Sequence, residues 1–208
     1  MISTETLLTF STASVLLALA PGPDNIFVLT QSSVLGRRAG FLVTLGLCTG
    51  LIAHSMAVAL GVAVIFQRSA AAFAALKYVG AGYLVYLALQ AFHASATRIQ
   101  TERRGEAKLF ALYGRGILMN LTNPKVSIFF LAFLPQFADP SRGPISVQIL
   151  LLGGVFILAT VVVFGSIAFL AGTLGQWLHR SDRVQGIMNK AAGVVFLGLA
   201  LKLATTRR

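Results

Sequence analysis

Charged residues in this chain of 208 residues are separated by long apolar stretches. After Glu5 the next acidic or basic residue is Asp24, and after Arg38 none occurs until Arg68. Only 11% of the residues are charged, whereas a soluble domain carries roughly a quarter. A helix that crosses the hydrocarbon core of a bilayer needs about 20 apolar residues. The pattern therefore predicts a polytopic membrane protein rather than a soluble core.

Six apolar segments are each long enough to cross a bilayer, and the connectors between them leave no room for a soluble domain. We expect an all-α membrane protein of six transmembrane helices that forms a single transporter domain over residues 1–208. A polar connector at about 96–108 divides it into repeat one, about 1–95, and repeat two, about 109–208. The segments lie at about 7–35, 39–66, 71–92, 116–137, 145–174 and 187–203.

The two halves carry a weak internal repeat. Residues 77–84 read KYVGAGYL and residues 190–197 read KAAGVVFL, so lysine, glycine, an aromatic residue and leucine recur at matching positions. These stretches lie in the third and sixth segments, the last of each half. Because three spans per half is an odd number, the halves are expected to lie inverted in the membrane, as in many secondary transporters.

Proline interrupts the first segment of each half. Pro21, Gly22 and Pro23 lie midway between the charges that flank segment one, and Pro124 lies near the middle of segment four. Proline lacks a backbone donor and clashes with the preceding turn, so helices 1 and 4 should be broken there. Two breaks at similar depth are therefore predicted.

Each break is followed by an ionisable residue, and the two charges are opposite. Asp24 follows Pro23, and Lys125 follows Pro124. An ionisable residue at membrane depth costs at least about 2.5 kcal/mol on insertion scales and marks a functional candidate. One interpretation is an ion pair that only holds the halves together. The other is a gate or substrate clamp.

A zwitterionic amino acid would suit such a clamp. Its carboxylate could approach Lys125 and the N–H groups that begin a half-helix, where the helix dipole is positive. Its ammonium group could face Asp24, and Asn25, Asn120 and Asn123 supply neutral hydrogen-bonding groups. Each of these asparagines could equally satisfy unwound backbone.

His54 lies well inside segment two, where it is either a packing residue or a proton carrier beside Asp24. Cys48 is the single cysteine, so no intrachain disulfide forms. The three histidines are too dispersed to predict a metal site, and no hydrolase or nucleotide-binding motif occurs. The net charge of +11 comes from basic residues beside apolar runs, as topology signals require. We expect no enzyme, no cofactor, no metal and no nucleic-acid partner.

Together these motifs resemble the LysE/RhtB family of bacterial amino-acid exporters. The resemblance rests on the Pro21–Asp24 break, the GRRAG turn at 36–40 followed by Gly46 and Gly50, the stretch at 77–84 and the NLTNPK stretch at 120–125. It implies a six-helix carrier of the bacterial inner membrane that exports amino acids such as homoserine, threonine, leucine or lysine in exchange for protons. The direction of transport comes from the resemblance alone.

The leading hypothesis is proton antiport with alternating access, in which one three-helix half rocks against the other around Asp24 and Lys125. An uncoupled channel or facilitator for small polar metabolites is the alternative, and a structural membrane protein is a third interpretation that leaves the matched breaks unexplained. The expected partners are the amino acid, protons and the lipid bilayer. The sequence names neither the amino acid nor the oligomeric state, so a homo-oligomer stays open.

Overall fold

The computed structural model describes residues 2–68, 70–94, 109–179 and 182–205. Over these ranges the chain forms eight α-helices with shorter π and 3₁₀ turns, and no strand. The predicted all-α class is confirmed. The polar connector predicted at 96–108 lies outside the described residues.

The helices follow one another with short connections. A π-helical turn, Phe129–Phe133, and two 3₁₀ turns, Leu134–Phe137 and Pro140–Arg142, lie between the sixth and seventh helices. The helices are α1 Thr4–Leu19, α2 Pro23–Leu35, α3 Arg37–Arg68, α4 Ala70–His93, α5 Leu109–Thr122, α6 Pro124–Ile128, α7 Ile145–His179 and α8 Asp182–Thr205.

The first predicted break separates α1 from α2. Helix α1 begins at a Ser3 cap, whose side chain accepts a hydrogen bond from the Thr6 N–H at 3.1 Å. It ends at Ala20, whose extended ψ of 123° is the conformation favoured before a proline. Pro23 then starts α2, where its missing N–H costs nothing. The two helices are bent by 59°.

The second break repeats this construction between α5 and α6. Asn123 caps α6 with its side-chain oxygen, which accepts from the Lys125 N–H at 3.0 Å, and Pro124 occupies the first turn. The bend between Phe110–Thr122 and Pro124–Phe137 is 52°. Both predicted helix breaks are therefore present in the structure.

Pro135 explains the π turn that follows α6. A proline at this position cannot donate to the carbonyl of Leu131, four residues earlier, and would clash with it in a regular α-helix. The chain widens instead, and the Leu134 N–H bonds to the Phe129 carbonyl, five residues back. The Gln136 side chain donates to the Ala132 carbonyl at 3.2 Å. The second broken segment thus contains a further irregularity that the sequence analysis did not predict.

Among the described residues, three helical stretches are long and apolar enough to cross a membrane, or up to five if each bent pair counts as one span. The three lie in α3, α7 and α8. Large apolar side chains such as Leu60, Val79 and Leu158 are about two-thirds exposed, as lipid-facing residues would be. The chain is a multi-pass membrane protein. Helix α4 is not among these stretches, so the prediction of six spans stays a prediction.

Packing between the helices brings the two breaks together. Helix α3 lies against α5 and α7, α4 lies against α8, and α7 also contacts α1 and α2. Gly46 and Gly116 let α3 and α5 cross closely, since a β-carbon on Gly46 would overlap the carbonyl of Tyr113. The close crossing places Gly50 and His54 of α3 beside Asn120, at the end of α5.

Candidate functional site at the two helix breaks

Five polar side chains from the two breaks are buried together in a protein whose outer surface is apolar. We call Asp24, Asn25, Asn120, Asn123 and Lys125 the polar cluster. Their exposed fractions are 3%, 8%, 2%, 3% and 8%, respectively. Burying charges at such positions is costly unless they find partners. The hydrogen bonds of each side chain therefore show what the cluster is built to do.

Lys125 reaches across from the second break to the first. Its ammonium group donates to the carbonyl of Ala20 at 3.1 Å and to that of Leu17 at 3.4 Å. These carbonyls belong to the last turn of α1, which has no further N–H groups to bond them. The end of a helix also carries partial negative charge, which favours a cation. Lys125 thereby links the two halves of the chain.

Asp24 and Lys125 do not form the direct ion pair that one interpretation of the sequence expected. Of the described side chains, Asp139 and Arg142 do form one, at 3.2 Å on the surface, but Lys125 is bonded to backbone carbonyls instead. Asp24 and Lys125 are nevertheless buried in the same polar cluster. The charges of Asp24 and Lys125 are thus buried in one cluster without a direct bond between them.

Asn25 and Asn123 each satisfy backbone groups at a break, which was the alternative to a role in ligand binding. The Asn25 amide nitrogen donates to the Ala18 carbonyl at 2.6 Å, and the Asn123 oxygen caps α6. These bonds use only one end of each amide. The opposite ends are still available.

Four buried side-chain atoms of the polar cluster have no hydrogen-bond partner within the described chain: Asp24 Oδ1, Asn25 Oδ1, Asn120 Oδ1 and Asn123 Nδ2. An unsatisfied buried polar atom costs roughly 1–3 kcal/mol, so four in one place would be a heavy cost for a purely structural cluster. They offer both donor and acceptor positions to a polar ligand.

A cavity of about 390 Å³ borders the breaks. One wall consists of break residues, including Gly22, Asn123 and Lys125, and the opposite wall carries polar side chains of α4 and α8. On that wall the Gln90 side chain donates to the Tyr86 hydroxyl at 3.0 Å. The polar residues of the opposite wall are Tyr83, Tyr86, Gln90 and Asn189. A small molecule in this cavity would reach Lys125 directly.

Phenylalanines pack together next to the second break. Phe129 lies one helical turn after Lys125, and its ring contacts those of Phe10, Phe133 and Phe156 at centroid distances of 6.0, 4.8 and 5.1 Å. A second cavity, also about 390 Å³, lies beyond them near the start of α1. We define the phenylalanine cluster as Phe10, Phe129, Phe130, Phe133, Phe137 and Phe156. Phe133 and Phe137 line the second cavity, and no member of the cluster lines the first.

The family model described as LysE type translocator matches residues 15–207. The chain belongs to this family. The match covers both helix breaks and all the residues of the polar cluster, so it agrees with the resemblance drawn from the sequence motifs.

Two relatives of this LysE family chain extend along nearly its whole length. A homoserine/homoserine lactone efflux protein of Salmonella typhimurium is 37% identical over 199 residues, which cover 93% of either protein. An uncharacterized membrane protein of Vibrio cholerae is 34% identical over 200 residues, covering 96% of this chain and 97% of the relative. No solved structure matches the chain. The family and the efflux name indicate transport rather than catalysis.

In this LysE family chain His54 lies at the edge of the polar cluster. Its Nε2 atom is 3.3 Å from the backbone oxygen of Asn120, and its ring packs on Phe130 at 5.7 Å. His54 therefore contacts the backbone at the end of α5 rather than the side chain of Asp24. No direct hydrogen bond to Asp24 therefore supports its proposed role as a proton carrier.

The polar wall of α4 and α8 was not predicted from the sequence. Tyr83 was singled out there only as part of the internal repeat, and Tyr86, Gln90 and Asn189 were not considered. Tyr83, Tyr86 and Gln90 follow one another at intervals of three and four residues, which places them on one face of a helix. That spacing of polar groups within an apolar segment was the available signal.

Proposed function

We propose that this protein is a secondary transporter that exports small amino acids of the homoserine type across the bacterial inner membrane, coupled to protons. The observation that carries the proposal is the polar cluster, where Asp24 and Lys125 are buried and four polar atoms, one of them Asp24 Oδ1, have no partner. Family membership and the name of the Salmonella relative support amino-acid efflux.

In the proposed complex the substrate enters the cavity between the breaks and the polar wall. It reaches past the cavity lining, which includes Asn123 and Lys125, to Asp24, Asn25 and Asn120 behind it. Its carboxylate approaches Lys125 and the first N–H groups of α2, which have no intrahelical partners. Its ammonium group faces the Asp24 carboxylate. Asn25, Asn120 and Asn123 would use their free amide atoms as further contacts, which would remove the cost of leaving those atoms unpaired.

The substrate side chain would then point toward the polar wall. Tyr86 and Gln90 already bond to each other there, and a hydroxyl group such as that of homoserine could join them. The wall extends to Ala94, which follows the C-terminal end of α4, and to Asn189, near the N-terminal end of α8. Residues 95–108 continue the chain from this end of α4. We propose that the cavity is the entry path from that side of the membrane.

Alternating access would follow from two inverted three-helix repeats, at about 1–95 and about 109–208. Helix α4 would be the third span of the first repeat. Helix α3 packs against α5 of the other half, and α7 packs against α1 and α2. This reciprocal packing supports a twofold relation between the halves. The cavity that borders the breaks and the phenylalanine cluster next to the second break support a carrier that is closed toward the start of α1.

Proton coupling would act through Asp24. A proton on its carboxylate removes the negative charge that holds the substrate ammonium, so protonation from the far side favours release. His54, beside the Asn120 carbonyl, would act as a relay only through an intervening group. The exchange of one bound proton for one substrate molecule would complete the cycle.

Efflux from loaded cells tests the proposal. Cells that express the protein and are loaded in turn with homoserine, threonine, leucine and lysine should export at least one of them faster than cells without it. Counterflow in proteoliposomes should show acceleration by substrate on the opposite side. Efflux that is linear in concentration and shows no counterflow would indicate a channel or facilitator, and no efflux of any of the four would contradict amino-acid export.

A further inference from the structure

The last turn of α1 resembles a cation site whose cation is a side chain. Its free carbonyls carry the negative end of the helix dipole, and unwound backbone and half-helix C-terminal ends bind Na⁺ in several secondary transporters. Here the carbonyls of Leu17 and Ala20 are occupied by the ammonium group of Lys125. The cation comes from the opposite half of the chain.

Three further buried oxygen atoms belong to the same polar cluster. Asp24 Oδ1, Asn25 Oδ1 and Asn120 Oδ1 are buried without partners. A methyl group on Gly22 would lie 3.0 Å from Lys125 Nζ and 3.7 Å from Asn25 Oδ1, so both atoms border Gly22, although they do not bond each other. Carbonyl, amide and carboxylate oxygens are the ligands of hard cations. The set contains one anionic group, as a site for a monovalent cation requires.

We propose that the Lys125 ammonium group takes the place of a monovalent cation at the Leu17 and Ala20 carbonyls, so that the protein works without sodium. When the lysine side chain is removed, sodium binds there instead, with the unpartnered oxygens of Asp24, Asn25 and Asn120 as further ligands. Lys125 then has a second task besides facing the substrate, because it keeps the end of α1 attached to the second break. The inference goes beyond amino-acid export and holds whatever the substrate is.

Thermal unfolding of purified protein in detergent tests the site without any substrate. Lys125→Ala is heated in NaCl, LiCl, KCl or choline chloride at equal ionic strength. The unfolding temperature of the variant should rise with NaCl concentration and saturate. A Kd near one fifth of a sodium concentration of about 100 mM corresponds to a rise of about 2–4 °C. Wild-type protein should unfold at the same temperature in NaCl and in choline chloride.

Lys77→Ala is the matched control. Lys77 also donates to the carbonyl of Ala204, at the C-terminal end of α8, at a distance of 3.4 Å. None of the four unpartnered buried atoms lies on that helix. Removal of Lys77 should therefore create no saturable response to sodium. The double variant with Lys125→Ala and Asp24→Asn should also lose the response, since the anionic ligand is gone.

Three results would contradict the proposal. The first is a saturable sodium effect on wild-type protein, because the site is then open already. The second is a Lys125→Ala protein that unfolds at one temperature in all four salts. The third is a variant that is recovered folded in neither NaCl nor choline chloride, for both Lys125→Ala and Lys125→Ser, because sodium then cannot replace the ammonium group. None of these results depends on amino-acid export.

Discussion

Alanine in place of Gly50 should push the Asn120 side chain out of the polar cluster. A β-carbon on Gly50 would lie 2.6 Å from Asn120 Oδ1, 2.7 Å from its Cβ and 3.0 Å from its Cγ. The Cβ contact is decisive, because that atom is fixed to the backbone of α5 and cannot rotate away. Helix α3 or α5 must therefore shift, and this shift moves the Asn120 side chain.

The magnitude follows from comparison with Gly61→Ala in the same helix, where a β-carbon meets nothing within 4 Å. Both variants gain the same helix propensity, about 1 kcal/mol, so their difference isolates the overlap. Overpacking costs about 1–3 kcal/mol. Gly50→Ala should therefore unfold about 2–12 °C below Gly61→Ala, at about 2–4 °C per kcal/mol.

Thermal unfolding in detergent and efflux from cells measure the two consequences. Gly61→Ala should export at the wild-type rate, and Gly50→Ala should be inserted normally but export slowly. Equal unfolding temperatures for the two variants, together with equal efflux, would show that Gly50 and Asn120 do not touch as described.

Three further changes test separate parts of the account. Ser3→Ala removes the cap of α1 and should lower stability by about 1 kcal/mol in thermal unfolding without changing efflux. Pro124→Ala restores an N–H at the second break and should abolish efflux from cells, whereas Pro140→Ala in the surface turn should not. Gln90→Leu removes a neutral hydrogen bond of the polar wall and should raise the half-saturating substrate concentration in efflux assays about fivefold; an unchanged value would remove the wall from the path.

The helix breaks could be predicted from the sequence because their cause is local. Pro23 and Pro124 begin new helices for reasons that concern only the neighbouring backbone, and the bends of 59° and 52° lie where expected. Pro135 is equally local, yet its π turn was missed. The signal was present, since a proline always deprives the carbonyl four residues earlier of its donor.

The partners of Lys125 could not be predicted, because they depend on how the halves pack. Its position after Pro124 showed a buried charge, and Asp24 was the obvious partner of opposite sign. In the structure the ammonium group donates to the Leu17 and Ala20 carbonyls instead. Free carbonyls at a helix end belong to the backbone, so no residue type marks them in the sequence. The preference of cations for such ends is nevertheless general.

The surface loop at Asp139 shows the same division between local and tertiary information. Hydrogen bonds from the side chain and backbone of Ser141 hold the pKa of the Asp139 carboxyl below its usual value. These bonds form a turn that an aspartate two residues before a serine favours. Gln148 of α7 then fixes this loop with bonds to both backbone groups of Asp139. That contact spans nine residues and has no signature in the sequence.

Proton-linked efflux by Asp24→Asn protein tests the central claim most directly. Asparagine keeps the shape of the side chain and removes its charge, and Asp139→Asn in the surface loop is the matched control. In proteoliposomes with an imposed pH gradient, wild-type and Asp139→Asn protein should export the substrate identified in cells, and Asp24→Asn protein should not. Full gradient-driven efflux by a normally inserted Asp24→Asn protein would contradict the account.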